Sequence, residues 1–307
     1  MLTFDKLKLV SSIKNISIYD ENAFEVKVKD GKVHSLLYYQ ETPFLLRIKI
    51  DYVRNELVVE FSGKVLGSDY PKLISIETIY QCFQNINELG FCRIDPDAML
   101  NSEVVTCDVT KDIKWSDASS LVPYIQGHIS NFKIYNCSVK CDNITIEKNV
   151  ISRKCKKRMI IYNKEKEMTS VKNRAFVEKY NLDGAFKDIW RFEINLNSKE
   201  QIRNSLDLSD NKLLSVLQSE ATPIASFIKD AVSPPTVPIK YNDRKSYLMA
   251  LVLKDCDYDI TKVDAKLREL YAPGTKFSKL LKPYRAALDA MSQEGNDTYT
   301  TLVEKLK

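Results

Sequence analysis

Apolar residues Phe44, Leu46, Ile48 and Ile50 alternate with Arg47, Lys49 and Asp51, and Leu57, Val59 and Phe61 alternate in the same way beyond a polar turn at Arg54 and Asn55. A two-residue period puts one set of side chains on one face, so the pair predicts a hairpin with one buried face. The period then lengthens. Ile79, Cys82, Phe83, Ile86 and Leu89 follow helical spacing, with Ser75 placed to cap the helix and Gly90 where a left-handed C-terminal residue is wanted.

The same succession returns downstream. Val104 to Val109 reads as a strand, and Ser119 or Ser120 can open a helix through Leu121, Tyr124 and Ile125. Strand-like runs follow around Ile134, Ile144 to Glu147, Met159 to Tyr162 and Trp190 to Leu196, then helical runs over Lys199 to Leu206 and Leu213 to Ile228. Strands and helices without strict alternation predict an α+β fold, a mostly antiparallel sheet with helices on one face. The recurrence raises duplicated ferredoxin-like or relaxase-like units, although no sequence repeat shows it. From Ser233 the run Ser-Pro-Pro-Thr-Val-Pro cannot continue a helix and reads as a linker. Beyond it, stripes over Tyr247 to Val252, Val263 to Leu270 and Phe277 to Leu288 predict a helical domain, interrupted at Pro273 and Gly274. It loosely resembles a helix-turn-helix, but no basic recognition face stands out, and ordinary helix packing is the reading. The expected organisation is an N-terminal α+β subdomain over 1–100, a second α+β domain over 101–232 and the helical domain over 233–307.

Composition narrows the setting. In 307 residues no apolar run reaches the roughly 18 to 20 residues of a membrane span, and the N-terminus lacks a secretory pattern, which predicts a cytoplasmic protein with no membrane partner. Seven irregularly spaced cysteines fit a reducing compartment. Cys137, Cys141, Cys155 and His128 could surround zinc, but their spacing is looser than structural zinc knuckles favour, so idle thiols are the default. A net charge of +5 says little about nucleic acid; its distribution says more. Arg153, Lys154, Lys156, Lys157 and Arg158 crowd one stretch. Such a run is either a solvated hairpin or a contact for DNA phosphates.

The basic stretch leads into candidate chemistry. In Arg158-Met-Ile-Ile-Tyr-Asn-Lys164, alternation places Tyr162 and Lys164 on one strand face; in Trp190-Arg-Phe-Glu-Ile-Asn-Leu196 it places Arg191 and Glu193 opposite the apolar side chains. Upstream, Val105, Cys107 and Val109 leave Asp108 on the polar side, with Asp112 beyond. If the three strands are neighbours, one polar face carries Asp108, Tyr162, Lys164, Arg191 and Glu193. Carboxylates there can hold Mg²⁺ or Mn²⁺, a lysine or metal favours a phenolate nucleophile, and an arginine can clamp phosphate. The plainer reading makes Tyr162 a packing residue, Arg191 and Glu193 solvent-facing, and Asp108 with Asp112 a capping pair.

Ile161-Tyr-Asn-Lys-Glu-Lys-Glu167 and Trp190-Arg-Phe-Glu-Ile-Asn-Leu196 resemble, in order and interval, the paired "IYNKxxE" and "WRxEhxL" segments (h, apolar) of Rep_trans-type plasmid replication initiators. They are also similar to segments of the gene II/X replication proteins of filamentous phages. The resemblance covers roughly Val104 to Leu206. It implies a rolling-circle initiator that binds a double-stranded origin, cleaves a single-stranded nick site with a divalent metal, forms a 5′-phosphotyrosyl bond and later reseals the strand. A homodimer and a recruited host helicase would be its partners, in the cytoplasm of a bacterium carrying the plasmid or phage. Carried over, Tyr162 is the nucleophile, Glu193 a metal ligand, Glu167 a second, and Asp108 a loosely matched third. The His-hydrophobe-His motif of the wider group is absent, since His34 and His128 are isolated. No Gly-rich phosphate loop occurs among eight glycines, and none is needed when the covalent bond conserves energy for resealing. Two other classes stay open: an origin-binding or regulatory protein that contacts DNA without cutting it, and a structural protein of a mobile element.

Overall fold

The computed structural model describes residues 2–116, 118–129, 134–150, 157–233, 244–256, 260–270, 276–294 and 296–307. Contacts divide the chain into two units, 1–231 with 306–307, and 232–305. The first unit begins with β1 (Thr3–Ser12), β2 (Ile16–Ile18), β3 (Glu25–Lys29), β4 (Lys32–Gln40), β5 (Leu46–Asp51) and β6 (Glu56–Ser62). A ten-residue run of 3₁₀ turns, Gly63–Lys72, precedes α1 (Ile79–Asn87), β7 (Cys92–Ile94), α2 (Pro96–Met99), β8 (Glu103–Lys114) and α3 (Ala118–Gly127). Then come β9 (Tyr135–Lys140), β10 (Asn143–Lys148), β11 (Arg158–Asn163), α4 (Lys164–Met168), α5 (Val171–Tyr180), β12 (Ile189–Leu196), α6 (Lys199–Leu206), α7 (Leu213–Gln218) and α8 (Pro223–Ala231).

Ten of these strands form one sheet in the order β3-β4-β5-β6-β1-β8-β12-β11-β10-β9, every ladder antiparallel. The fold is thus α+β as the patterning predicts. Read outward from the β1/β8 pair, the two halves have one topology: a central strand, then a four-strand meander that returns from the sheet edge. The sequence shows no repeat to match this shared topology. The segments expected as separate, 1–100 and 101–232, contribute to the same sheet, because β1 pairs with both β6 and β8.

Period-2 patterning gives the sheet one apolar face, with Leu7, Ile48, Val59, Phe61, Cys107, Val109, Phe192, Ile161 and Ile144 all buried. Each large side chain so removed from water contributes roughly 1.5–3 kcal/mol. Phe83 of α1 meets Phe61 edge-on, with ring centroids 5.9 Å apart. Over the opposite face, α4, α5 and the 3₁₀ run share a smaller cluster of Tyr70, Leu73, Met168, Phe176, Leu182 and Phe186.

Some expectations shift. The single helix over Leu213 to Ile228 is two, α7 and α8, because the proline at position 223 opens the second, where its missing N–H costs nothing. The strand centred on Ile134 starts at Tyr135. Ser75 lies in the turn before α1, its hydroxyl accepting from the Glu77 amide, and the N-cap position falls to Thr78. Gly90 does take a positive φ, +84°.

In the second unit, α9 (Arg244–Asp255), α10 (Ile260–Leu270), α11 (Phe277–Glu294) and α12 (Asn296–Leu306) follow the segment 234–243, which with its prolines lies outside the described residues. Leu253, Cys256, Val263, Leu267 and Leu281 form its core. No described helix is long and apolar enough to cross a membrane.

Candidate active site

The two segments that resemble initiator motifs meet on neighbouring strands, β11 and β12, the first running on into α4. β11 and β12 pair with Tyr162 opposite Arg191 and Ile160 opposite Glu193, and β12 pairs with β8 so that Arg191 faces Asp112, Glu193 faces Thr110 and Asn195 faces Asp108. Residues directly opposite in an antiparallel ladder share a face. Tyr162, Arg191, Glu193, Asp108 and Asp112 therefore lie on one polar face, the one alternation predicts.

Tyr162 is half-buried, and its hydroxyl stands 3.5 Å from Glu193 Oε2, beyond a firm O–H···O bond but within reach of one. Burial pushes the phenol well above its ordinary pKa, against the opposing pull of Arg191. Glu193 is buried; that, together with the charges of Asp5 and Asp108, pushes its carboxyl up to about 7. The Asn195 amide ties the two carboxylates together, donating to Asp108 Oδ1 at 2.8 Å and Glu193 Oε1 at 3.2 Å. Lys6 lies 3.3 Å from Asp108, yet burial still leaves that carboxyl raised.

Arg191 departs from its expected role as a phosphate clamp. It is fully buried, with Nε and Nη2 each donating to Asp112 at 2.7 Å and Nη1 donating to Asp5 at 2.6 Å and to the Tyr70 hydroxyl at 2.9 Å. A bidentate fork already filled by a carboxylate has no second fork for phosphate. It positions the carboxylates of β1 and β8.

Lys164 is displaced from the strand on which it was expected. Asn163 ends β11, its side chain accepting from the Lys166 amide at 2.9 Å as the N-cap of α4. Lys164 consequently turns inward and is buried. Its ammonium donates to the Tyr70 hydroxyl at 2.7 Å, pairs with Glu167 at 2.6 Å, and lies 5.6 Å from the Tyr162 ring centroid. The lysine still sits beside the tyrosine, but through a helix start.

Glu167 does not join the other carboxylates. It accepts from Asn173 at 2.9 Å, and although burial works against its charge, Lys164 and Lys64 hold it below its ordinary pKa. Among the described residues no group of three or more His, Cys, Asp or Glu is arranged to hold a metal ion, zinc or otherwise. Asp108 and Glu193 are the pair brought together. Of the basic stretch, Arg153, Lys154 and Lys156, like Cys155, lie outside the described residues. Arg158 is exposed and 3.7 Å from Glu147; Lys157 is half-buried.

Two residues of the site escaped the sequence reading. Asp5 of β1 receives Arg191 and the Tyr70 hydroxyl, the latter at 3.0 Å. Burial opposes its charge, but Arg191 and Lys164 hold it below the usual carboxylate range. Tyr70, in the 3₁₀ run, joins Asp5, Lys164 and Arg191 through one hydroxyl. A register shift between Phe4 and Lys6 interrupts the alternation that would have marked Asp5.

Comparison with known proteins gives little beyond this geometry: no family model matches the chain, and no curated protein does. A solved structure, that of a rolling circle replication initiator protein from Geobacillus stearothermophilus, is similar over 80% of this chain and 90% of that one, at 13% identity and a TM-score of 0.39. A likeness of that size carries no argument about what this chain does.

Proposed function

We propose that this protein is a DNA nicking-closing enzyme, a rolling-circle replication initiator whose nucleophile is Tyr162. The observation that carries the reading is the juxtaposition of the Tyr162 hydroxyl with Glu193 on adjacent strands, formed by the two segments that resemble initiator motifs. Tyr162 Oη gives its proton to the Glu193 carboxylate, which burial and the neighbouring acids make more basic, and attacks the phosphorus of the scissile diester. The bond from phosphorus to the 3′ oxygen breaks. That oxygen takes a proton from solvent water and leaves as a 3′-hydroxyl, while the 5′ end stays on the tyrosine. Attack by a 3′-hydroxyl on the phosphotyrosine reverses the step and closes the strand.

Asp108 and the Oε1 side of Glu193, which Asn195 links, would hold a divalent cation, Mg²⁺ or Mn²⁺, leaving Glu193 Oε2 to face the tyrosine as proton acceptor. They are hard oxygen donors joined through Asn195, and among the described residues Glu193 makes no ion pair. Such sites suit Mg²⁺, which takes one or two carboxylates and shares the rest of its shell with phosphate. When bound, the cation neutralises charge on the phosphate. Lys164 and Arg191 act behind the tyrosine, fixing its surroundings. Origin DNA, double-stranded for recognition and single-stranded at the nick, is the substrate in this reading; a host helicase and a second copy of the chain are its proposed partners.

The test incubates the full chain with supercoiled DNA carrying its origin and Mg²⁺ or Mn²⁺, then resolves protein-DNA adducts on a denaturing gel. An adduct is expected from the wild type and none from Tyr162→Phe; an adduct that survives the substitution removes Tyr162 as nucleophile. Glu193→Ala is expected to bind DNA and lose nicking by at least about 10²-fold, on the scale of lost acid-base catalysis. Salt-sensitive binding with no adduct under any metal would instead favour a DNA-binding protein that does not cut.

A further inference from the structure

On the sheet face opposite Tyr162, a cavity of about 180 Å³ opens between β10, β11 and the helices α6 and α8. Lys148 and Lys157 line it, and they are direct cross-strand neighbours, the Lys148 amide donating to the Lys157 carbonyl at 3.0 Å. They continue the apolar positions Ile146 and Met159, so both side chains point into the helix-covered side. Like charges directly opposite each other in a ladder are destabilising. Here the conflict is sharpened by half-burial, which together with Lys148 lowers the pKa of Lys157.

The remaining polar lining fits an anion. Asn204, Ser205 and Ser226 surround the two lysines, and the Ser205 hydroxyl is buried with no hydrogen-bond partner among the described residues. A buried hydroxyl without a partner calls for a missing group. Asp230 is the one carboxylate in the lining, against two ammonium groups.

We propose that this cavity is a phosphate-binding site, in which Lys148 and Lys157 share the charge of one phosphate group and Asn204, Ser205 and Ser226 donate hydrogen bonds to its oxygens. It is separated from Tyr162 by the thickness of the sheet, so the phosphate it takes is not the one cut. That chemistry is offered by the backbone of DNA and by a free phosphate ester alike.

Thermal unfolding of the full chain in inorganic phosphate, against chloride at matched ionic strength, tests the site. The wild-type midpoint is expected to rise by about 2–4 °C for each tenfold increase in phosphate beyond half-saturation. The double substitution Lys148→Gln, Lys157→Gln is expected to remove that response and, with the repulsion gone, to keep its phosphate-free midpoint at or above the wild type. An equal phosphate response in both proteins, or none in the wild type, overturns the proposal. Binding of an origin-free duplex then separates the sources. If DNA supplies the phosphate, the slope of log K against log salt falls by about one in the double variant. An unchanged slope beside a lost phosphate response assigns the cavity to a free phosphate ester. No readout involves cleavage, so failure here is distinct from failure of the nicking reading.

Discussion

Arg191 binds Asp112 and Asp5 with one guanidinium while donating to Tyr70, and this makes it the residue on which the site's geometry most depends. Arg191→Gln is expected to lose about 2–4 kcal/mol in chemical unfolding, because the substitution leaves the half-buried carboxylates of Asp5 and Asp112 without their cation. Glu193 behaves in the opposite sense. Burial, Asp5 and Asp108 hold its folded-state pKa at about 7, above its unfolded value of about 4.5, so the folded protein keeps a proton that the unfolded chain releases. That contribution is complete below about pH 4.5 and is lost as pH rises through 7. In EDTA, Glu193→Gln is expected to be neutral at pH 4 and to stabilise by about 1–3 kcal/mol at pH 8. Stabilisation at pH 4 that disappears at pH 8 would invert this sign and sink the assignment. Alternation made Tyr162, Glu193 and Asp108 legible, since strand faces follow from local sequence. Asp5 and Tyr70 were not legible: they meet Arg191 across 186 and 121 residues of chain, and no local pattern encodes a contact of that separation.

At the scale of elements, the boundary between β11 and α4 decides where Lys164 goes. The alternation through Tyr162 reads on smoothly to Lys164, but Asn163 offers its side chain to the Lys166 amide and ends the strand one residue earlier. Asn163→Ala is expected to lose about 1 kcal/mol from the cap and to lower adduct yield with Tyr162 intact, as measured by unfolding and on the same gel. A second junction is Gly67, at φ +62° inside the 3₁₀ run, where an added Cβ would come within 2.7 Å of the Tyr180 ring. Gly67→Ala combines a left-handed backbone with a blocked approach and is expected to cost about 1–3 kcal/mol, read as a lowered denaturant midpoint. The hairpin of β5 and β6, β12 and the helical stripes were readable because each keeps one period throughout. β1 was missed: the bulge between Phe4 and Lys6 puts its apolar residues out of step.

For the molecule as a whole, β1 and β8 matter more than any boundary drawn along the sequence. β1 takes β6 on one side and β8 on the other, so a chain cut at residue 100 leaves β1 with an unpaired edge and an uncovered apolar face. Residues 1–100 expressed alone are expected to lack a cooperative unfolding transition by circular dichroism, whereas a sharp transition would show that the half-sheet is self-sufficient. The repeated topology also bears on where the candidate site sits. In the second half Tyr162 stands on the strand next to β12; in the first, the matching strand β5 offers Lys49 and Asp51 on the polar face, and no tyrosine. The half without Tyr162 still reaches into the candidate site through Asp5 and Tyr70, which support Arg191 and Lys164. If the chain is the initiator proposed above, a genetic screen for lost replication would gather alleles at positions 5 and 70, far along the gene from codon 162. Their phenotype would mimic loss of Tyr162 while the tyrosine itself remained in place.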